Sequence, residues 1–411
     1  MAEVLRAGAS DALPRRAVWL LAVAFTALNL RPFLTAIGPL SGPIQAGTGL
    51  DLSAMAWLTL LPMGLMGVGA WCSPAVLRRW GARSTVAGAL MVLALGCLLR
   101  WAGLEGGVLI ASAAVCGAGV ALVQGALPGI VKRELPGQVA PVMGLYSAAL
   151  MGGGALGAQF SPWAVQQGAQ WTAVLAAWAL PAALAAWAMA RVLPWARPAL
   201  AAAAAAAAAA EGTGWLLRRP RTWWLMACFG LVNGGYASAV AWLAPYYQAQ
   251  GWGAAASGGL VALMAVAQAA AALLLPWLAA RGVDRRPWIW LTLAAQAAGF
   301  AGLAMAPGAA PAAWAALLGA GLGGCFALTL VLALDHLPDP AQAGALGALM
   351  QGGGFVLAGL APWVVARLHG ATGGFAAGWW AHLACIALVA LAVAQFAPWR
   401  YALAMRAPRP A

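Results

Sequence analysis

Asn29-Leu30-Arg31-Pro32 interrupts the first long apolar run of the chain, which extends from about residue 17 to about residue 40. Arg31 is the only charged residue placed well inside any apolar run. An arginine in hydrocarbon costs about 2.5–3.5 kcal/mol on insertion-based scales, so such a residue persists by facing a wet cavity or a partner and marks a functional site. Pro32 has no N–H to donate; it frees the Leu28 carbonyl and kinks the helix. A kinked helix with a lone cation in its outer half points to a polar solute-binding cavity.

The surroundings of this run are those of a membrane protein. Of 411 residues, 64% are hydrophobic and 8% charged, which no soluble domain matches. Runs long enough for a bilayer core of roughly 30 Å lie near 17–40, 53–77, 84–100, 107–131, 139–163 and 169–190, then near 221–247, 255–280, 287–306, 311–334, 342–367 and 374–397. This gives an all-α membrane protein of twelve spans in two sets of six. The organisation expected is an N-terminal half over 1–190, a cytoplasmic linker over 191–220, a C-terminal half over 221–398 and a tail over 399–411. The linker carries the tract Ala201–Ala210, which alanine's helix propensity favours as local helix. It is too short, and too closely flanked by arginine and proline, to be a thirteenth span. The first run is too long for a signal-peptide core and lacks a cleavage site, so it reads as a retained span. All six cysteines fall in apolar runs without a CxxC spacing and read as small buried hydrophobes.

The net charge of +13 is distributed by topology. Nineteen of the 22 basic residues fall on one side: Arg6, Arg15, Arg16, Arg78, Arg79, Arg83, Lys132, Arg133, Arg191, Arg197, Arg218, Arg219, Arg221, Arg281, Arg285, Arg286, Arg400, Arg406 and Arg409. Arg100 and Arg367 fall on the other. The positive-inside rule then places both termini and the linker in the cytoplasm. Anionic lipid headgroups are the partner this charge implies, rather than nucleic acid.

The two sets of six repeat each other. Gly152–Gly154 and Pro162-Trp163 recur 200 residues on as Gly352–Gly354 and Pro362-Trp363. Phe25 and Asn29 match Phe229 and Asn233 at an offset of 204, and Arg79 and Arg83 match Arg281 and Arg285 at 202. Six-span halves of like orientation are the parallel repeat of secondary transporters.

Several stretches carry a resemblance. "LNLRPFLTAIGPL" (Leu28–Leu40), "LPGIVKRELP" (Leu127–Pro136), "MGLYSAAL" (Met143–Leu150), "AWLAPYY" (Ala241–Tyr247) and "ALMQGGGFVLAGLAP" (Ala348–Pro362) are similar to the cyanate permease and 2-nitroimidazole transporter family of the major facilitator superfamily. The sequence departs from that pattern at Gln124, Gly234-Gly235 and Asp335. The resemblance implies twelve helices in two parallel six-helix repeats around a central cavity, lined by spans 1, 4, 5, 7 and 11. It implies transport by alternating access of a small solute, cyanate-like or nitroimidazole-like, with drug or metabolite efflux as the alternative. It implies a bacterial cytoplasmic membrane.

On this reading the substrate-binding candidates are Arg31, Asn29, Thr35, Gln124, Tyr146, Asn233, Tyr236 and Gln351. Arg31 lies fourteen residues beyond Ala17, roughly 21 Å along a helix. Its alternative role is an arginine snorkelling to the outer headgroups. The amides and phenols could instead be interhelical glue, worth about 0.6 kcal/mol each. Gln268 and His382 are weaker candidates, His382 more in keeping with packing.

The sequence also excludes classes. No Asp or Glu falls inside a span, although proton-coupled carriers use an intramembrane carboxylate or histidine. No phosphate-binding GxxxxGK[ST] is present. No His/Asp/Glu cluster or nucleophile–base pair suggests an enzyme, a metal or a cofactor. A non-transporting sensor is the remaining rival, and a monomer is compatible with the reading.

Overall fold

A computed structural model describes residues 2–135, 139–193 and 214–406. The expected alanine tract Ala201–Ala210 and the chain beyond Arg406 lie outside the described residues. Among the described residues there is no strand.

Among the described residues, eleven helical segments are long and apolar enough to cross a membrane. They are span 1 (Arg16–Thr35), 2 (Leu52–Ser73), 3 (Arg79–Ala102), 4 (Gly106–Val131), 6 (Trp171–Val192), 7 (Pro220–Gln248), 8 (Ala254–Ala279), 9 (Arg286–Met305), 10 (Pro311–Asp335), 11 (Gln342–Thr372) and 12 (Ala376–Val393). The expected span 5 is a helix of 28 residues, Val139–Gln166, long enough to cross.

Span 1 breaks where its sequence requires it to. The helix Ala2–Asn29 stops, Leu30 and Arg31 turn, and a four-residue helix Pro32–Thr35 follows. Arg31 itself has φ −121° and ψ −27°. Helix does not resume until Ser41, so the regular part of the span ends five residues short of the expected residue 40. Spans 2 and 3 belong to one helix, Leu52–Leu99, that bends near the start of span 3 at Gly81, whose φ of +74° is a left-handed conformation that favours glycine.

The triple glycine of span 5 is what receives the break. A Cβ on Gly153 would strike the Leu28 carbonyl oxygen, the very group Pro32 leaves without its helical donor. A Cβ on Gly157 would lie 2.6 Å from Pro32 Cα and from Thr35 Oγ1. Small residues of this kind let helix backbones approach closely in lipid.

The internal repeat is visible in side-chain detail. Asn29 Nδ2 donates to Phe25 O at 2.7 Å, and Asn233 Nδ2 donates to Phe229 O at 2.8 Å. Pro162 and Pro362 each sit inside a helix, in spans 5 and 11. The halves meet through spans 2 and 11, where a Cβ on Gly67 would lie 2.5 Å from Gly352 O, and through spans 5 and 8, where Gly258 abuts Ala158 O. Span 7 is central: 83% of its most apolar window is buried, against 39% for spans 6 and 12.

Four of the six cysteines are buried as expected. Cys385 is half-buried and Cys72, near the end of span 2, is exposed, which corrects the reading of all six as buried hydrophobes.

Candidate solute-binding site

Arg31 projects inward from the break in span 1 and is 8% exposed. Its Nη1 donates to Tyr236 Oη in span 7 at 3.2 Å, and its Cζ lies 5.1 Å from the Tyr236 ring centroid. The snorkelling alternative does not describe this side chain. Thr35, one turn on, donates its hydroxyl to Gly154 O at 2.8 Å and lies 3.3 Å from Arg31 O. Together these groups bound a cavity of about 30 Å³. Its polar lining is Arg31, Thr35, Asn233, Tyr236 and Gln268, and its apolar walls include Val261, Met264 and Phe326.

A second cavity of about 360 Å³ adjoins the first and is lined by Gln124, Tyr146, Ser147 and Gln351 among apolar neighbours. Arg31, Leu150, Met151 and Phe326 line both cavities, so these residues form the waist between them. The wider cavity also reaches Pro128, Met143, Leu334 and Gly344. It therefore extends toward the end of the bundle that carries the connections between spans 4 and 5 and between spans 10 and 11.

The opposite end is closed by contacts between the halves. Gln248, at the end of span 7, accepts from Ser41 Oγ at 3.1 Å and donates to Pro39 O at 2.8 Å and to Ser257 Oγ at 3.0 Å. A Cβ on Gly38 would lie 2.7 Å from Val240 O.

The structure thus brings together seven of the eight candidates. Arg31, Thr35, Asn233 and Tyr236 bound the small cavity, and Gln124, Tyr146 and Gln351 the wider one. Asn29 lines neither; its amide is spent on its own helix. Gln268, a weaker candidate in sequence, stands in the small cavity. His382 lines neither cavity and stacks on Phe300 with ring centroids 4.9 Å apart.

Sequence reasoning missed Arg100. It ends an apolar run, so it reads as a residue of the outer loop, yet the fold buries it completely. Its Nη1 donates to Phe33 O at 2.6 Å and its Nε to Ser112 Oγ at 3.3 Å. The available signal was a run of barely 17 residues, 84–100, which leaves its terminal arginine within reach of the protein interior.

Among the described residues Arg31 has no acidic partner. Two ion pairs, Arg285–Asp335 at 2.9 Å and Arg286–Asp284 at 2.7 Å, lie at span ends. There the Arg286 guanidinium holds the Asp284 carboxyl below the usual carboxylate range. Arg31 therefore carries a positive charge into a small cavity, held by one neutral hydroxyl and an aromatic face. Such a site attracts a small anion or the negative end of a dipole.

Two six-helix repeats around a central cavity, closed at one end and basic at its apex, define a solute carrier of the alternating-access kind. The chain belongs to the Major Facilitator Superfamily, whose sequence pattern matches residues 17–362. It is 41% identical over 386 residues to the cyanate transport protein CynX of Escherichia coli strain K12, covering 93% of this chain and 98% of that one. It is 28% identical over 381 residues to the 2-nitroimidazole transporter of the same organism, covering 93% and 94%. Among solved structures, a D-xylose-proton symporter superposes with a TM-score of 0.73 over 92% of this chain and 97% of its own, at 16% identity. The inward-open xylose transporter XylE of E. coli superposes at 0.72, over 92% and 95%, at 14% identity. At those identities the superpositions show the fold alone. The protein is an integral membrane transporter, not an enzyme.

Proposed function

We propose that the chain carries a small anion of the cyanate class across the cytoplasmic membrane, with Arg31 as its counter-charge. The observation that carries this reading is the Arg31 guanidinium, facing the small cavity with Tyr236 Oη as its hydrogen-bond partner and no carboxylate beside it among the described residues. Five donors in a planar fork suit a compact anion that accepts at its end atoms. A cavity of about 30 Å³ holds a solute of few heavy atoms, since one ordered water needs about 10–15 Å³ on the same measure. The similarity to CynX points to the same chemistry.

The polar groups divide the work. Arg31 and Tyr236 bind, while Thr35, Asn233 and Gln268 fix orientation. Gln124, Tyr146 and Gln351 line the route out through the wider cavity. With the basic connections in the cytoplasm, that cavity faces inward and the Gln248 contacts close the outer side. Some of the described basic side chains at that face lie on tryptophan rings, Arg281 over Trp277 at 4.7 Å and Arg286 over Trp399 at 4.8 Å. This arrangement suits an interface with anionic headgroups.

A nitroimidazole-like solute is the second reading, favoured by the volume of the wider cavity, about 360 Å³. Uptake of radiolabelled cyanate and of 2-nitroimidazole into proteoliposomes separates the two. Saturable cyanate uptake supports the first, saturable nitroimidazole uptake alone supports the second, and neither rules out both.

A further inference from the structure

We infer that Arg100 is a positioning residue: it clamps the broken segment of span 1 and thereby fixes where Arg31 stands. The inference rests on the reading of Arg31 as the solute's counter-charge. In an unbroken helix the Phe33 carbonyl would accept from the Ile37 N–H. Here that N–H turns to Leu34 O at 3.4 Å instead, and the Phe33 carbonyl is left without its helical donor. Arg100 replaces that donor at 2.6 Å, from the far end of span 3.

Phe33 is held a second time, through its side chain. The Arg100 Cζ lies 5.6 Å from the Phe33 ring centroid, a cation–π contact on the residue whose carbonyl it binds. Ser112 of span 4 steadies the guanidinium, and itself donates to Leu109 O at 2.6 Å. Arg100 thus ties spans 3 and 4 to the peptide two residues past Arg31. Between them stands Pro32, whose ring fixes φ, so a fixed Phe33 carbonyl leaves the Arg31 Cα little freedom.

The cost of this arrangement shows that it is not incidental. Arg100 is fully buried and its Nη2 finds no partner. A buried charge left partly unsatisfied is destabilising, and an apolar side chain of similar volume would pack there more cheaply. What the apolar side chain could not supply is a donor to the Phe33 carbonyl. Leu28 O against Gly153 and Phe33 O on Arg100 are the two ends of one device, which holds a short irregular stretch open inside the membrane.

The test uses the purified full-length protein with Arg100→Met, Arg100→Gln and Arg100→Lys. Hydrogen–deuterium exchange is followed over the peptides covering 28–40, alongside the melting temperature and cyanate uptake. Arg100→Met should speed exchange in that stretch about tenfold and leave spans 7–12 unchanged. It should raise KM for cyanate about tenfold with a smaller change in maximal rate. Arg100→Lys, which can still reach the Phe33 carbonyl, should restore most of both. If Arg100→Met does not fold, Arg100→Gln, whose amide nitrogen ends where Nε stands and two bonds short of the Nη1 that binds Phe33 O, replaces it and is read the same way. Wild-type exchange and KM in the apolar variant would overturn the inference. So would a protection loss spread over the whole protein that lysine does not rescue, the mark of a merely structural residue. If the wild type does not take up cyanate, the Arg31 reading fails separately, and the exchange experiment still decides whether Arg100 holds the break.

Discussion

Arg31 Nη1 and Tyr236 Oη lie 3.2 Å apart across the seam between the two repeats. By the repeat offset of 204, Tyr236 occupies in span 7 the position of Pro32 in span 1. One half contributes a broken helix with a cation and the other an intact helix with a phenol. The proposed solute site thus joins a place where the repeats differ, Arg31 and Tyr236, to one they share, Asn233, whose amide like that of Asn29 donates within its own helix.

Tyr236→Phe keeps the ring and removes the hydroxyl. A neutral hydrogen bond contributes about 0.5–1.5 kcal/mol, so initial uptake should fall about two- to tenfold without loss of folded protein. Asn233→Ala should behave similarly. Rates per folded carrier in proteoliposomes check this, and a wild-type rate for both variants would exclude these residues from the site.

Gly153→Ala and Gly353→Ala make a controlled pair in the two repeats. A Cβ at Gly153 collides with the backbone carbonyl of Leu28, whereas at Gly353 it meets the flexible end of the Met226 side chain. Backbone cannot yield as a methionine can. Gly153→Ala should lower the melting temperature clearly more than Gly353→Ala and should impair uptake. Equal shifts would mean that span 1 does not depend on the close approach.

His336, just beyond the end of span 10, stacks on Tyr401 at 4.0 Å and holds Leu332 O through Nδ1 at 2.7 Å. Burial lowers its pKa to about 4. An unfolded histidine titrates near 6.5. Between those values the unfolded chain binds a proton that the folded one does not, so this residue's contribution to stability falls as pH drops from about 6.5 to about 4 and levels off below. The melting temperature of the solubilised protein should decline over that window, and His336→Asn should flatten the decline. An unchanged pH profile in the variant would contradict the assignment.

Neither cavity is lined by a carboxylate, and His382 lies outside both. Uptake of a solute that does not titrate should therefore respond weakly to an imposed pH gradient across proteoliposomes. Strong accumulation that persists in His382→Ala would show a proton path through other groups.

The fold was legible because hydropathy, charge placement and internal repetition each recur over hundreds of residues. Arg31 was legible because a charge inside an apolar run is conspicuous. Asn29 misled: two positions from Arg31 it shares the motif, but its side chain bonds back to Phe25 and never reaches the cavity. Gln268 was underrated because the family pattern singles out spans 1, 4, 5, 7 and 11, and only packing brings span 8 to the Arg31 cavity. The short run 84–100 hinted at burial of Arg100, but not at its partner: the Phe33 carbonyl is 67 residues away, and a freed backbone carbonyl leaves no trace in a sequence.

The most direct test of the account is cyanate binding to purified Arg31→Ala and Arg31→Lys, measured by calorimetry beside the wild type. Arg31→Ala should insert and fold at least as well as wild type, because it removes a costly charge from the membrane interior. It should show no saturable binding. Arg31→Lys, which keeps the charge but loses the planar fork, should fold and lose most of the affinity. Wild-type affinity in Arg31→Ala would contradict the account and move the solute's counter-charge away from the break in span 1.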